Sequence, residues 1–279
     1  MRKGILLVAT LVMAAPLPTG AQGGLEAPAL QAAQEMFYNG RYADSAAATA
    51  GLCVADPATL PACELRTSAL HFQLRRALGE SSDRDAAFAR CAECGGILAE
   101  FLDETRRGQR LARERLQAAP QDEEALFFLG KLDLNYVWLH LATLGRKTGW
   151  DEYWEARRSL DRVLKQNPVN VRAKVARAWI DYIVATRLPR GTRWLLGGGN
   201  RQRGLQAVRE AAAAEAALFV RAEAGFALWD MQVRERNIPG ALATAETLAG
   251  DFPANPELRK FLDAHEGTQA SATDDRTER

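Results

Sequence analysis

Apolar residues along this chain recur at steps of three and four, and almost no segment alternates with a period of two. That pattern predicts helices throughout, about eight to ten of them between residues 29 and 263, and an all-α fold. Two flanks break the pattern. Residues 22–28 form a leader containing glycine and proline. Residues 264–279, "AHEGTQASATDDRTER", carry no apolar residue beyond alanine and read as a disordered tail.

The first 21 residues have the signature of a signal peptide. Arg2 and Lys3 form a basic start, and the apolar run "GILLVATLVMAAPLP" is too short to span a bilayer. Small residues Thr19 and Ala21 place the predicted cleavage after Ala21. No cysteine lies near that point, so no lipid anchor is expected. No later stretch is apolar enough for a membrane span. The expectation is an exported protein, periplasmic or secreted.

Composition changes little in that picture. The 279 residues are enough for a sizeable core, and alanine, the best helix former, is abundant. The formal net charge is +1, so no global field draws the chain to nucleic acid or an anionic membrane. Export gives the four cysteines meaning, because an oxidising compartment lets them pair. Of the three possible pairings, Cys53 with Cys63 and Cys91 with Cys94 is favoured.

Several segments repeat one another. In "LQAAQEMFYNGRYADSAAATAGLCVADP", Gly40 and Tyr42 fall at a turn between two helices. Ser45, Thr49 and Leu52 take small and apolar positions, and Pro57 closes the unit. "EALFFLGKL" carries Leu129 and Gly130, and "WDEYWEARRSLDRVLKQNP" carries Tyr153, Ala156, Leu160, Val163 and Pro168. Leu228, Ala241, Ala245, Leu248 and Pro253 follow in the same order, Gly204, Val208 and Ala211 give a further second helix, and Pro120 ends another unit. These segments resemble the tetratricopeptide repeat (TPR) family. Ala32 and Ala33 stand where that family prefers Leu-Gly, and the segment near residues 131–150 is longer than the family's spacing. The resemblance implies a TPR-like α-solenoid of stacked antiparallel helix pairs, whose hairpins bury together what none could bury alone. It also implies protein–protein interaction across a concave groove. The partner would be a protein or peptide, and no cofactor is implied.

The stretch "LPRGTRWLLGGGNRQRG", residues 188–204, raises a sharper question. A phosphate-binding loop needs a preceding strand and a Lys-Ser/Thr after the glycines, and both are missing. The plainer reading is a bend. Pro189 ends one helix, Gly197, Gly198 and Gly199 turn the chain, Asn200 caps the next helix, and Trp194 and Leu195 tuck inward. Against that stands a run of five arginines from Arg187 to Arg203 with no acidic residue between them. Arg190, Arg193, Arg201 and Arg203 are therefore candidates for binding a partner or anion. Trp150, Tyr153 and Trp154, clustered at a hairpin turn, are candidate interface aromatics.

Other chemistry is thin. "CAEC" would need a βαβ context for a thioredoxin-type site, and Gly95 stands where a haem motif needs histidine. Zinc would need tighter spacing than that of Cys53 and Cys63. His71, His140 and His265 are scattered, and His140 sits in the apolar run "YVWLHLATL", as a core histidine would. Three functions remain in order of preference. The first is an exported, non-catalytic adaptor. The second is a ligand-binding subunit of a solute transporter. The third is a thiol oxidoreductase through Cys91 and Cys94.

Overall fold

The computed structural model describes residues 28–53, 60–187 and 190–265; the side chains of 190–192 fall outside the description. The expected signal peptide, the leader up to residue 27, Pro57, Pro189 and the tail from residue 266 lie outside the described residues. Those described are all-helical and contain no strand. Eleven α-helices run α1 (Pro28–Tyr38), α2 (Tyr42–Ala50), α3 (Leu60–Leu78), α4 (Arg84–Arg90), α5 (Cys94–Ala118), α6 (Glu123–Trp138), α7 (Trp150–Gln166), α8 (Val171–Arg187), α9 (Arg201–Ala212), α10 (Leu218–Arg234) and α11 (Ile238–Asp251). A twelfth, α12, covers 256–265. This is more than the expected eight to ten; α4, seven residues long, is too short to show a helical period.

A stop–start device punctuates the chain three times. Helices α5, α7 and α11 each end two residues before a proline: Pro120, Pro168 and Pro253. Proline cannot donate to the helix ladder and disfavours helix in the residue before it. Two residues beyond each proline stands an Asp or Asn whose side chain accepts from the next helix. Asp122 accepts from the Ala125 N–H at 3.0 Å, Asn170 from Ala173 at 2.9 Å and Asn255 from Leu258 at 3.1 Å. Each such cap contributes about 1 kcal/mol.

Successive long helices pack on one another from α1 to α11, and α3 also touches α1 and α6 while α10 touches α8. In α7, α9 and α11 the inward residues fall at i, i+4 and i+7: Ala156, Leu160 and Val163; Gly204, Val208 and Ala211; Ala241, Ala245 and Leu248. All are buried. A π-turn at Leu139–Thr143 ends α6 and opens the long connection to α7.

The two ends of the described chain meet. The Tyr38 ring lies 5.9 Å from Phe219, 5.5 Å from Phe226 and 5.2 Å from Phe252. Asn255 Nδ2 donates to the Tyr38 carbonyl at 2.7 Å, and the Ala254 N–H donates to Asn39 Oδ1 at 3.0 Å. The first hairpin is thus latched to the last helices.

Candidate docking face

Trp150, Tyr153, Trp154 and Arg157 stand at i, i+3, i+4 and i+7 on α7, so they share one face. Tyr153 is buried, and burial raises its hydroxyl above the ordinary tyrosine range although Arg157 opposes this. That hydroxyl donates to the Leu196 carbonyl at 2.8 Å. Arg157 donates to the carbonyls of Leu196 at 3.0 Å and Gly197 at 2.9 Å. The glycine-rich stretch is therefore fastened to the same face of α7 that carries Trp150 and Trp154.

This geometry decides what the stretch is. It turns carbonyl oxygens toward a guanidinium, the polarity opposite to an anion cradle. The N–H groups of Gly197 and Gly198 are engaged within the loop, donating to Trp194 at 3.1 Å and Arg193 at 2.9 Å. Gly197 and Gly198 have φ of 73° and 72°, the left-handed region that glycine enters freely. Gly199 answers a different need: a Cβ there would stand 2.6 Å from the Asp181 carbonyl oxygen of α8. Asn200 caps α9, accepting from the Arg203 N–H at 2.8 Å.

The candidate arginines that are described differ in setting. Arg201 is spent on Glu235, its Nε donating to Oε1 at 2.7 Å, and the same oxygen accepts from the Tyr182 hydroxyl at 2.8 Å. Arg193 is half-buried and held within the fold. Arg203 is exposed on the first turn of α9. The Arg190 side chain lies outside the description.

Trp194 and Leu195 correct an expectation. They do not tuck inward: they are 72% and 53% exposed. The segment Arg190–Leu196 is a 3-10 helix with three residues per turn, so Arg193 and Leu196 share one side. Leu196 packs on the core, and the two residues between are turned out. Trp150, 54% exposed, lies one turn before Tyr153 on the fastened face. Trp154 is packed against the core. The structure thus joins two candidate regions read separately in the sequence, and it exposes one tryptophan from each.

The cysteines pair as expected in geometry. Cys53 and Cys63 have Cα atoms 5.1 Å apart, Cys91 and Cys94 5.4 Å apart, and both pairs are bonded. Two such bonds fit an oxidising compartment. No helix among the described residues is long and apolar enough to cross a membrane. Among those residues, Cys53, Cys63 and Glu104 could approach a metal together, but the bond between the cysteines leaves no thiolate to ligate one. Burial and then Arg75 push His71 down to about 3, and its Nε2 meets the Thr143 hydroxyl at 2.9 Å. His140 is buried as expected and packs 4.4 Å from the Tyr136 ring, but neither ring nitrogen meets a hydrogen-bond partner; burial and then Arg146 lower its pKa. His265 Nδ1 meets the Phe261 carbonyl at 2.7 Å.

Sequence reasoning missed a quartet of charged residues, buried Glu64 with partly buried Lys131, Arg172 and Glu223, one from each of α3, α6, α8 and α10. Lys131 Nζ lies 2.6 Å from Glu223 and 3.7 Å from Glu64; Arg172 lies 2.7 Å from Glu223 and 3.6 Å from Glu64. Burial disfavours the charges on Lys131, Arg172 and Glu223, yet the opposite charges beside them win. Lys131 and Arg172 end above their ordinary values, and Glu223 falls to about 2. Arg172 also stacks 4.7 Å from the Phe127 ring. Charged residues on four different helices carry no local signal, so no window of sequence could have found them.

Comparison with protein-family models, curated proteins and solved structures finds no match for this chain.

Proposed function

We propose that this chain is an exported, non-catalytic adaptor with TPR-like solenoid architecture, and that it binds a protein partner through the face where α7 meets the glycine loop. The repeated i, i+4, i+7 register and the thrice-used proline stop support the architecture. The observation that carries the function is Trp194 with Leu195, held out from a segment that Tyr153 and Arg157 fasten in place. Rigid exposed tryptophan loses little entropy on binding, and it is a frequent interface anchor. The charged residues of α3, α6, α8 and α10 that meet in the quartet are already paired, so docking is assigned to this joint.

The test is an in-cell crosslinking pull-down of the mature chain, read by mass spectrometry, beside Trp194→Ala/Leu195→Ala. Removing a tryptophan anchor costs on the order of 2 kcal/mol, roughly thirtyfold in affinity. The variant should keep its melting temperature and lose the partner. Undiminished capture by a folded variant would refute the assignment. A second reading, a ligand-binding subunit working with a solute transporter, draws on the closure of the first hairpin onto the last helices. Native mass spectrometry of the mature protein should then show a bound small molecule.

A further inference from the structure

The two disulfides sit in opposite settings. Cys53 and Cys63 are both buried, at 2% and 0% exposure. Cys94 is fully buried as the first residue of α5, but Cys91 is only partly covered. Around that second bond Arg90, Ala92, Glu93, Gly95 and Gly96 are all exposed. A Cβ at Gly95 or Gly96 would meet nothing within 4 Å, so no other segment covers the chain just beyond the bond. The start of the 25-residue α5 has no side-chain cap on its N–H groups and no acidic residue in its first turn. Those donors and the positive end of the helix favour a thiolate at Cys94, while its burial beside Ile97 and Phe101 and the Glu93 carboxylate before it oppose one.

From this asymmetry we infer that Cys91–Cys94 is a thiol–disulfide exchange site, with Cys91 the sulfur attacked and Cys94 the leaving group. The inference goes beyond the adaptor reading and does not depend on it. The co-reactant is an external dithiol. Its thiolate attacks Cys91 Sγ, the Cys91–Cys94 bond breaks, and the bonding pair stays on Cys94 Sγ. The second thiolate of the reductant then attacks its own sulfur in the mixed disulfide and expels the Cys91 thiolate. Two electrons, and two protons once both thiolates are protonated, pass to the protein, and the reductant departs as a disulfide. The bond closes the short link between α4 and α5, and α4 stays held through buried Ala87 and partly buried Phe88, so the exchange leaves the fold intact while Cys53–Cys63 stays closed.

The test treats the native full-length chain with dithiothreitol, quenches by alkylation and maps the labelled cysteines by mass spectrometry. Cys91 and Cys94 should become labelled together, at least about tenfold faster than Cys53 and Cys63, with the far-ultraviolet circular dichroism native throughout. With glutathione disulfide, Cys94→Ser should form a mixed disulfide at Cys91. In Cys91→Ser, the Cys94 thiolate absorbance should titrate below the ordinary cysteine value of about 8.5. Equal rates for the two pairs in the wild type, or reduction only under unfolding conditions, would overturn the site even if neither variant folds. A Cys94 that titrates at or above the ordinary value would overturn its role as leaving group.

Discussion

Replacing Gly204 by alanine tests whether the glycines of this stretch serve packing. Gly204 lies within α9, where alanine is favoured over glycine by up to about 1 kcal/mol on helix propensity. Propensity alone therefore predicts a more stable protein. The structure predicts the reverse. A Cβ there would stand 2.7 Å from the Ala178 carbonyl oxygen and 3.2 Å from the Tyr182 backbone nitrogen. Both are backbone atoms of α8, so no side chain can swing aside, and α9 must move. Overpacking of this kind costs about 1–3 kcal/mol, and displacing α9 also strains the Arg201–Glu235–Tyr182 chain of hydrogen bonds. The net expectation is a loss of about 1–2 kcal/mol, read as a lower urea midpoint at unchanged slope. Gly96→Ala is the control: it lies in α5 with open space around it and should gain up to about 1 kcal/mol. A Gly204→Ala protein as stable as wild type would refute the close α8–α9 contact as the reason for glycine.

Acid should loosen the charged quartet. The folded pKa of Glu223, about 2, lies below its ordinary 4.5, so its stabilisation is complete above pH 4.5 and is lost as pH falls toward 2. Glu223→Gln should flatten the melting temperature over that window, and an unchanged slope would count against the quartet. Asp133 has the opposite sign. It is fully buried, one oxygen accepts from Gln109 Nε2 at 2.7 Å and the other has no partner; burial, with Glu155 adding to it, raises the carboxyl well above 3.8. The folded state therefore holds this proton more tightly, and stability declines as pH rises from 3.8 through the raised value. Asp133→Asn should remove that decline and raise the melting temperature at pH 8; a lower one would refute it. Asn255→Ala removes both a cap and the bond to Tyr38, a loss of about 2 kcal/mol. Hydrogen exchange should quicken in α1 and α12 together, and a change confined to α12 would show that the latch is not coupled.

Much of the fold was legible because helix formation is local. The i, i+4, i+7 spacing of small and apolar residues marked α7, α9 and α11, and the prolines marked where α5, α7 and α11 stop. The Asp or Asn two residues after each proline was an equally local signal. Where sequence reading failed, the missing information was geometric. Trp194 and Leu195 are apolar and were expected inside. A 3-10 turn has three residues per turn rather than 3.6, and that difference put Leu196 inward and its two neighbours outward. The joining of Trp150 to the glycine stretch rests on one hydroxyl and one guanidinium meeting carbonyls 39 to 43 residues away.

The quartet and the latch explain each other. Burying four ionised groups is costly unless each finds its opposite in good geometry. Lys131 and Arg172 each lie within ion-pair distance of both Glu64 and Glu223, which requires α3 and α10 to approach the same two cations from different sides. A row of helices laid out straight would keep α3 far from α10. The chain must instead bring α3 and α10 together, and the contacts of Tyr38 with Phe219, Phe226 and Phe252 join the first hairpin to the last helices. Helices brought together in this way let four charged residues from α3, α6, α8 and α10 satisfy one another. What the fold offers outward is the edge where its helices turn, and there the chain has placed Trp150, Trp194 and Leu195.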